Sequence, residues 1–273
     1  MAKMKTRTRR QLLGVLPAAG RATRLGPIPC SKEIMPLSIN ADSQSPTGLR
    51  VSVAIECALE AFRAAGVQQT IVITLPEKND IGDFLGDGSR WGLDLHYHLV
   101  EETASTSATI DCAHHLFREA DVALAFPDIQ FSPRDAIGKI ADARHRIDAD
   151  LTLALVPSDD GKKVDIVNVD DSGRILSLQI KPGKEHKGWT WVAAAWAPSF
   201  TDFFHKTLEN MLRCNDNSSE GSWEPTPEIF VGDIVNKAIR SGMKVHGLVF
   251  DEGDALDIGT PDSLGIAWSK GRA

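Results

Sequence analysis

Cysteine is scarce and scattered. Cys30, Cys57, Cys112 and Cys214 form no C-x-x-C pair among 273 residues, which argues against a disulfide scaffold or a thiolate zinc site and suits reduced thiols in a cytoplasmic protein. Positive charge is in deficit: 30 Lys plus Arg face 37 Asp plus Glu, a net charge of −7. That balance is a poor one for wrapping nucleic acid, which favours dense positive charge. No apolar run is long enough to span a membrane. Neither the dinucleotide fingerprint G-x-G-x-x-G nor the P-loop G-x-x-x-x-G-K-[ST] fits the one small-residue loop near the start. Internal repeats, low-complexity tracts and a dividing linker are also missing. The eight histidines include one adjacent pair, His114-His115, and read as ordinary surface or satisfied residues rather than ligands.

What is present is a chain with 42% hydrophobic residues, long enough to bury a sizeable core. Residues 1–10 read as a basic tail carrying Lys3, Lys5, Arg7, Arg9 and Arg10, and 11–273 as one domain. The tail followed by Leu12 to Ala19 superficially resembles a twin-arginine export signal. Its apolar run is short, however, and the first functional loop begins inside it, so cleavage would remove the first strand.

That loop organises the chain. Leu13-Gly14-Val15-Leu16 is a short apolar run of the kind buried on both faces of a parallel sheet. It opens into Pro17-Ala18-Ala19-Gly20, where small residues let backbone amides approach a ligand. Arg24 and Lys32 follow, and cations there suit phosphate. Strand, small-residue loop and two cations read together as a triphosphate-binding turn, although an unliganded strand-to-helix turn can look similar.

Further along, Asn40 to Gly48 reads as a loop and Val53 to Ala65 as a helix stopped at Gly66. Thr70–Thr74, Leu93–Leu99, Asp121–Phe126, Leu151–Val156 and Trp189–Trp196 read as strands, and Asp80–Leu85, Ala108–Leu116, Arg134–Ile147 and Ser199–Leu212 as helices. Asp171-Ser172-Gly173 predicts a hairpin between Val164–Asp170 and Arg174–Leu178, and Cys214–Ser222 a polar loop. Asp128 stands just past a buried strand, where open α/β sheets bind ligands.

These motifs resemble the sugar-1-phosphate nucleotidyltransferases. The first loop is similar to their G-x-G-T-R-L and P-x-x-x-x-K, with Ala22 where the family has its second glycine. Leu85–Leu93 is similar to their G-D-G-S-x-x-G-V, and Glu101–Ser107 aligns with a base-reading segment, although plain helix capping would give the same Ser/Thr-rich run. Pro227–Val235 resembles a family helix, and Ala255–Pro261 is close to W-x-D-I-G-T-P. The resemblance implies a Rossmann-like three-layer α/β/α fold with a mostly parallel mixed central sheet.

It also implies transfer of a nucleoside monophosphate from an NTP to a sugar 1-phosphate, with release of pyrophosphate. Ala18, Ala19, Gly20 and Arg24 would bind the nucleotide, Arg24 and Lys32 would serve catalysis, and Asp128 and Asp257 would hold Mg²⁺. Lys181 would bind the acceptor phosphate. Asp165 stands where a family glycine touches the sugar, and Ile180 where the sugar-binding glutamate is expected. The acceptor therefore stays open between a sugar 1-phosphate and a non-sugar phosphate, and a non-catalytic nucleotide-binding homologue is the other alternative. Nucleic acid and membrane are not expected partners; a homo-oligomer is left open.

Overall fold

The computed structural model describes residues 10–43, 45–159, 161, 163–183, 187–218 and 228–270. Apart from Arg10, the basic tail lies outside the described residues, as does the 219–222 part of the expected polar loop.

Strand β1 (Leu12–Pro17) runs into the small-residue loop and two short 3-10 turns, Thr23–Leu25 and Lys32–Ile34. A hairpin of β2 (Pro36–Ala41) and β3 (Leu49–Val53) precedes α1 (Glu56–Ala64). Next come β4 (Gln69–Thr74), α2 (Asn79–Leu85) and β5 (Asp94–Leu99). After α3 (Thr106–Cys112) and α4 (His114–Phe117) the chain forms β6 (Asp121–Ala125), β7 (Ile129–Ser132) and α5 (Ala136–Ile147). β8 (Leu151–Ser158), the hairpin β9 (Ile166–Val169) and β10 (Ile175–Gln179), and β11 (Gly188–Trp196) follow. The last described elements are α6 (Pro198–Ser218), α7 (Val231–Arg240), β12 (Val245–Val249), β13 (Asp254–Asp257) and α8 (Pro261–Lys270).

Nine strands make the main sheet, in the order β10-β9-β11-β6-β1-β4-β5, with β8 between β11 and β12. The stretch β6-β1-β4-β5 is parallel throughout, as is β8 with β12, while β11 runs antiparallel to β6 and β8. Successive residues feed opposite faces. In β6, Val122 and Leu124 join a core with Ile110, Phe200, Phe204 and Ile234 of α3, α6 and α7, whereas Ala123 and Ala125 join Leu59, Phe62 and Ile140 of α1 and α5. This is the expected three-layer arrangement. Fully burying a side chain such as Phe62 or Leu59 contributes about 1.5–3 kcal/mol, and both are 0% exposed. Gly14 is small because Phe62 lies over it: a Cβ there would come within 2.6 Å of Thr70 Oγ1 and 2.9 Å of the Phe62 ring.

Some elements differ from the sequence reading. The expected loop at 40–48 is the end of a two-stranded hairpin, with Asn40 and Ala41 in β2 and Val53 in β3 rather than at a helix start. Residues 214–218 continue α6 instead of opening a loop, because a helix already nucleated on an apolar face extends through polar residues at little cost. Among the described residues, no helix is long and apolar enough to cross a membrane.

Candidate active site

The loop after β1 is held from beneath. The Ala18 N–H donates to Ile73 O at 2.7 Å, stitching the loop to the end of β4. Lys78, at the start of α2 and nearly buried, points its ammonium up at the same loop. Its Nζ donates to Ala18 O at 2.6 Å and Gly20 O at 3.2 Å, and pairs with Glu33 Oε2 at 2.7 Å. With those two carbonyls held inward by Lys78, the loop has a fixed shape on its open side. Burial pushes Lys78 down from its ordinary pKa against the pull of Glu33. Burial likewise pushes Glu33 up, opposed by Lys78 and Lys32. Sequence reading gave neither residue a role, because the contact spans 45 positions.

Ala22 sits in the left-handed region, φ 54° and ψ 30°, a conformation that favours glycine, the residue the motif resemblance implies at this position. The conformation costs a residue with a Cβ roughly 1–2 kcal/mol. Ala22→Gly is accordingly expected to be neutral to stabilising by up to about 1 kcal/mol, after the entropy of glycine is charged against it. Denaturant unfolding checks this, and a loss of stability would mean that the Ala22 methyl makes a contact outweighing the strain.

The two candidate metal carboxylates meet across a two-stranded ribbon. β7 and β13 pair antiparallel with Ile129 opposite Asp257, and the Ile258 N–H donates to Asp128 O at 3.1 Å. Each carboxylate faces one of the cations read from the first motif. Lys32 Nζ lies 2.5 Å from Asp128 Oδ2, both side chains largely buried, and Arg24 Nη2 lies 3.6 Å from Asp257 Oδ2. Burial opposes the charge on Lys32, but Asp128, Glu33 and Asp257 outweigh it and hold its pKa above the ordinary value. Gly259 donates its N–H to Asp257 Oδ1 at 2.7 Å, and a Cβ at that position would press on both Asp257 and Arg24.

Two cavities adjoin at this point. One, of about 370 Å³, is lined by Ala19, Gly20, Lys32, Glu102, Ser105 and Asp128 among others. Ser105 is the N-cap of α3, its hydroxyl accepting from Ala108 N–H at 3.1 Å, so the 101–107 segment does serve as a helix cap and also faces this cavity. The second, of about 450 Å³, is lined by Arg24, Lys32, Asp128 and Asp257 together with Asp165, Lys181 and Trp191. Lys32, Thr106, Phe126, Asp128 and Glu228 belong to both. A larger cavity of about 860 Å³, between the β2/β3 hairpin and Arg90-Trp91-Gly92, shares no lining residue with either.

In the second cavity, Trp191 Nε1–H donates to Asp165 Oδ2 at 3.1 Å. Burial pushes the Asp165 carboxyl above its ordinary pKa, while Trp191 and Lys181 pull the other way. A Cβ at Gly232, in the first turn of α7, would strike Ile180 and come within 2.9 Å of Asp165 Oδ2. That glycine makes room for both divergent side chains. Lys181 is exposed and lies with Nζ 4.1 Å from the centre of the Phe230 ring. Sequence reading thus named Asp165 and Lys181, and missed Gly232 and Glu228. The G-D-G-S-like segment, by contrast, is a packing turn: Asp87 accepts from Ser89 N–H at 2.9 Å, and Gly88 takes φ 87° against Leu95.

Relatives with assigned activities share this chain's sequence weakly but over long stretches. It is 21% identical over 255 residues to the low-salt glycan biosynthesis nucleotidyltransferase Agl11 of Haloferax volcanii, covering 92% of this chain and 63% of that one. It is 27% identical over 169 residues to a glucose-1-phosphate thymidylyltransferase of Streptomyces griseus, covering 60% and 43% respectively. The chain thus spans less than two thirds of the length of these relatives. In fold it is similar to a protein from Bacillus anthracis assigned as a glucose-1-phosphate thymidylyltransferase and solved with sucrose, TM-score 0.74 at 18% identity, covering 96% and 95% of the two chains. It is also similar to a UTP-bound UGPase from Acinetobacter baumannii, TM-score 0.69 at 16% identity, covering 95% and 93%. A sequence model of the nucleotidyl transferases matches residues 13–270, and the chain belongs to that family.

Proposed function

We propose that this chain transfers a nucleoside monophosphate from an NTP to a phosphorylated small molecule, a sugar 1-phosphate or a close relative of one. The observation that carries the reading is the meeting of two cavities at the Lys32–Asp128 pair. A triphosphate in the first would place its α-phosphate beside an acceptor phosphate in the second. The acceptor's phosphate oxygen bonds to the α-phosphorus while the bond to the bridging oxygen of pyrophosphate breaks. That oxygen is already ionised at neutral pH, so no general base is needed.

Alignment and charge neutralisation are then the main tasks. The loop from Ala18 to Gly20, shaped by Lys78, presents backbone to the triphosphate. Lys32 pairs with the α-phosphate and Lys181 with the acceptor phosphate, while Arg24, expected from the motif to meet the departing pyrophosphate, lines the second cavity beside Asp257 and would have to swing towards the first to do so. Asp128 and Asp257 offer hard carboxylate oxygens from adjacent strands, a donor set that fits Mg²⁺ and suits softer metals poorly. Magnesium bound there would screen the approach of two anions. The Lys32 and Arg24 contacts to these carboxylates support a reading in which cations and metal ligands act in one space.

Lys32→Met tests the charge assignment. Removing a charge-assisted contact costs roughly 1.5–3 kcal/mol, and Lys32 should act most on the charge that develops in the transition state. Turnover is expected to fall about 10–150-fold, with nucleotide affinity changing much less. An unchanged rate would leave Lys32 as a structural partner of Asp128 alone.

Acceptor choice follows from the two divergent residues. Ile180 cannot hydrogen-bond a sugar hydroxyl, whereas Asp165 offers a carboxylate, already accepting from Trp191, to a further donor. Glucose 1-phosphate is expected to be a poor substrate, and an acceptor with an ammonium or a differently placed hydroxyl near Asp165 a better one. A pyrophosphate-release panel of four NTPs against phosphorylated sugars, amino sugars and amino-alcohols tests the whole reading. Release with none of them would favour a non-catalytic homologue, and glucose 1-phosphate at the top of the ranking would refute the role given to Asp165 and Ile180.

A further inference from the structure

Away from the cleft, half of the chain's eight histidines converge on one surface. His98 and His115 stand edge to face with ring centres 5.6 Å apart, and His115 is 6.0 Å from His114. His114 in turn stacks on His205 of α6 at 3.8 Å. Read from the sequence as ordinary, these residues acquire a carboxylate in the fold. His205 Nδ1 lies 3.0 Å and 3.1 Å from the two oxygens of Asp111, although 94 residues separate them.

From this cluster we infer a second metal site, made by Asp111, His114 and His205 and suited to a divalent transition-metal ion. Each residue offers a ligand atom, and the three atoms lie within 4.8 Å of one another. All three are partly buried, so the site is sheltered yet reachable. The break in the helix at Ala113, φ −101° and ψ 4°, ends α3 and starts α4 at His114. There His114 Nδ1 sits 2.8 Å from Asp111 O. A carbonyl accepts only, so Nδ1 carries the proton and Nε2 keeps its lone pair, the arrangement that orients histidine ligands elsewhere. Two imidazoles and one carboxylate favour zinc, nickel, cobalt or copper over magnesium or calcium, and leave a fourth position for water. Metal binding would replace the hydrogen bond between His205 and Asp111. It also rotates one stacked ring about χ2, a broad torsion, so that the two nitrogens converge.

The placement gives the ion a consequence. Asp111 belongs to α3, whose N-cap Ser105 faces the cavity beside the small-residue loop. A metal at the other end of α3 would clip that helix to α6 and stiffen one wall of the cavity.

The test uses the full chain, stripped with EDTA, desalted and kept in millimolar Mg²⁺ so that hard-oxygen sites are filled. Titration with Co²⁺ and with Zn²⁺, followed by calorimetry and by the cobalt visible spectrum, should show one ion per chain and a melting temperature that rises with added metal. His205→Asn and His114→Gln should each weaken binding at least tenfold with unchanged circular dichroism. Asp128→Asn and Cys112→Ser should leave binding intact. Stoichiometric binding that persists in both histidine variants, or that disappears in Asp128→Asn or Cys112→Ser, would place the ion elsewhere and overturn the proposal. So would the absence of any binding to the unaltered chain. Failure of the nucleotidyl-transfer panel would not touch this result, which is read from binding and melting alone.

Discussion

Asp128→Asn and Asp257→Asn are each expected to lower pyrophosphate release by about 10²–10³-fold or more, the scale of losing one preorganised electrostatic contact at a reacting centre. Both substitutions keep the side chain's shape and one oxygen acceptor, so folding should change little. Asp128 sits against Lys32 in a largely buried pair, where an amide oxygen can still accept from the ammonium. Asp257 is more open, and its Oδ1 still has the Gly259 N–H to accept if the amide oxygen takes that position. Turnover and melting temperature should therefore separate: rates collapse while transitions stay within a few degrees. Because the two residues act as one unit, the double variant should be scarcely slower than the worse single one. Full activity in either single variant would rule out the assignment of that carboxylate.

Lys78→Met should be the most damaging substitution for the fold. It leaves Glu33, 0% exposed, without its ion-pair partner. Breaking a buried pair on one side costs about 3–5 kcal/mol, a fall in melting temperature on the order of 10 °C for a chain of this size. The sign with pH follows from Glu33. Its folded pKa already lies above the ordinary carboxylate value because burial disfavours the charge, and losing Lys78 raises it further. Below the raised folded pKa of Glu33 in the original chain, the folded acid is neutral in both proteins and the variant's deficit is small. As pH rises through that value, the original's Glu33 ionises against Lys78 while the variant's stays protonated, and the deficit grows until the variant's folded Glu33 ionises as well. Replacing both partners, as in E33L/K78M, should recover most of the stability, since buried pairs seldom outperform apolar residues of similar volume. Turnover should stay low in the double variant, because Ala18 and Gly20 still lack the donor that turns their carbonyls inward. A Lys78→Met protein that melts like the original would show Glu33 to be satisfied by other means.

How far the sequence could be read depended on the range of the interactions involved. The parallel strands were legible because burial on both faces leaves an apolar run, as in Leu13–Leu16 and Asp121–Ala125. The β9/β10 hairpin announced itself through Asp171-Ser172-Gly173, whose glycine takes φ 83°. The β2/β3 hairpin did not, because Ser38, Asn40, Arg50 and Ser52 give it a polar face and leave Ile39, Leu49 and Val51 exposed on the other. β12 was hidden by Gly247, which interrupts the apolar run so that Leu155 can fit over the backbone. Motifs gave the candidate positions Arg24, Lys32, Asp128 and Asp257, and the fold gathers those four into one cleft. What no local pattern could supply was the support beneath them. Lys78 reaches Glu33 and Ala18 across the first α/β unit, and His205 reaches Asp111 across 94 residues; both pairings are created by topology.

The ribbon of β7 and β13 joins residues that leave the ribosome far apart in time. Asp128 emerges well before its counterpart, which arrives only when residues 254–257 return to pair with 129–132. Under the proposed function, a chain that stops between α5 and β13 would carry Asp128 without Asp257, so the carboxylate pair depends on both strands of the ribbon being present.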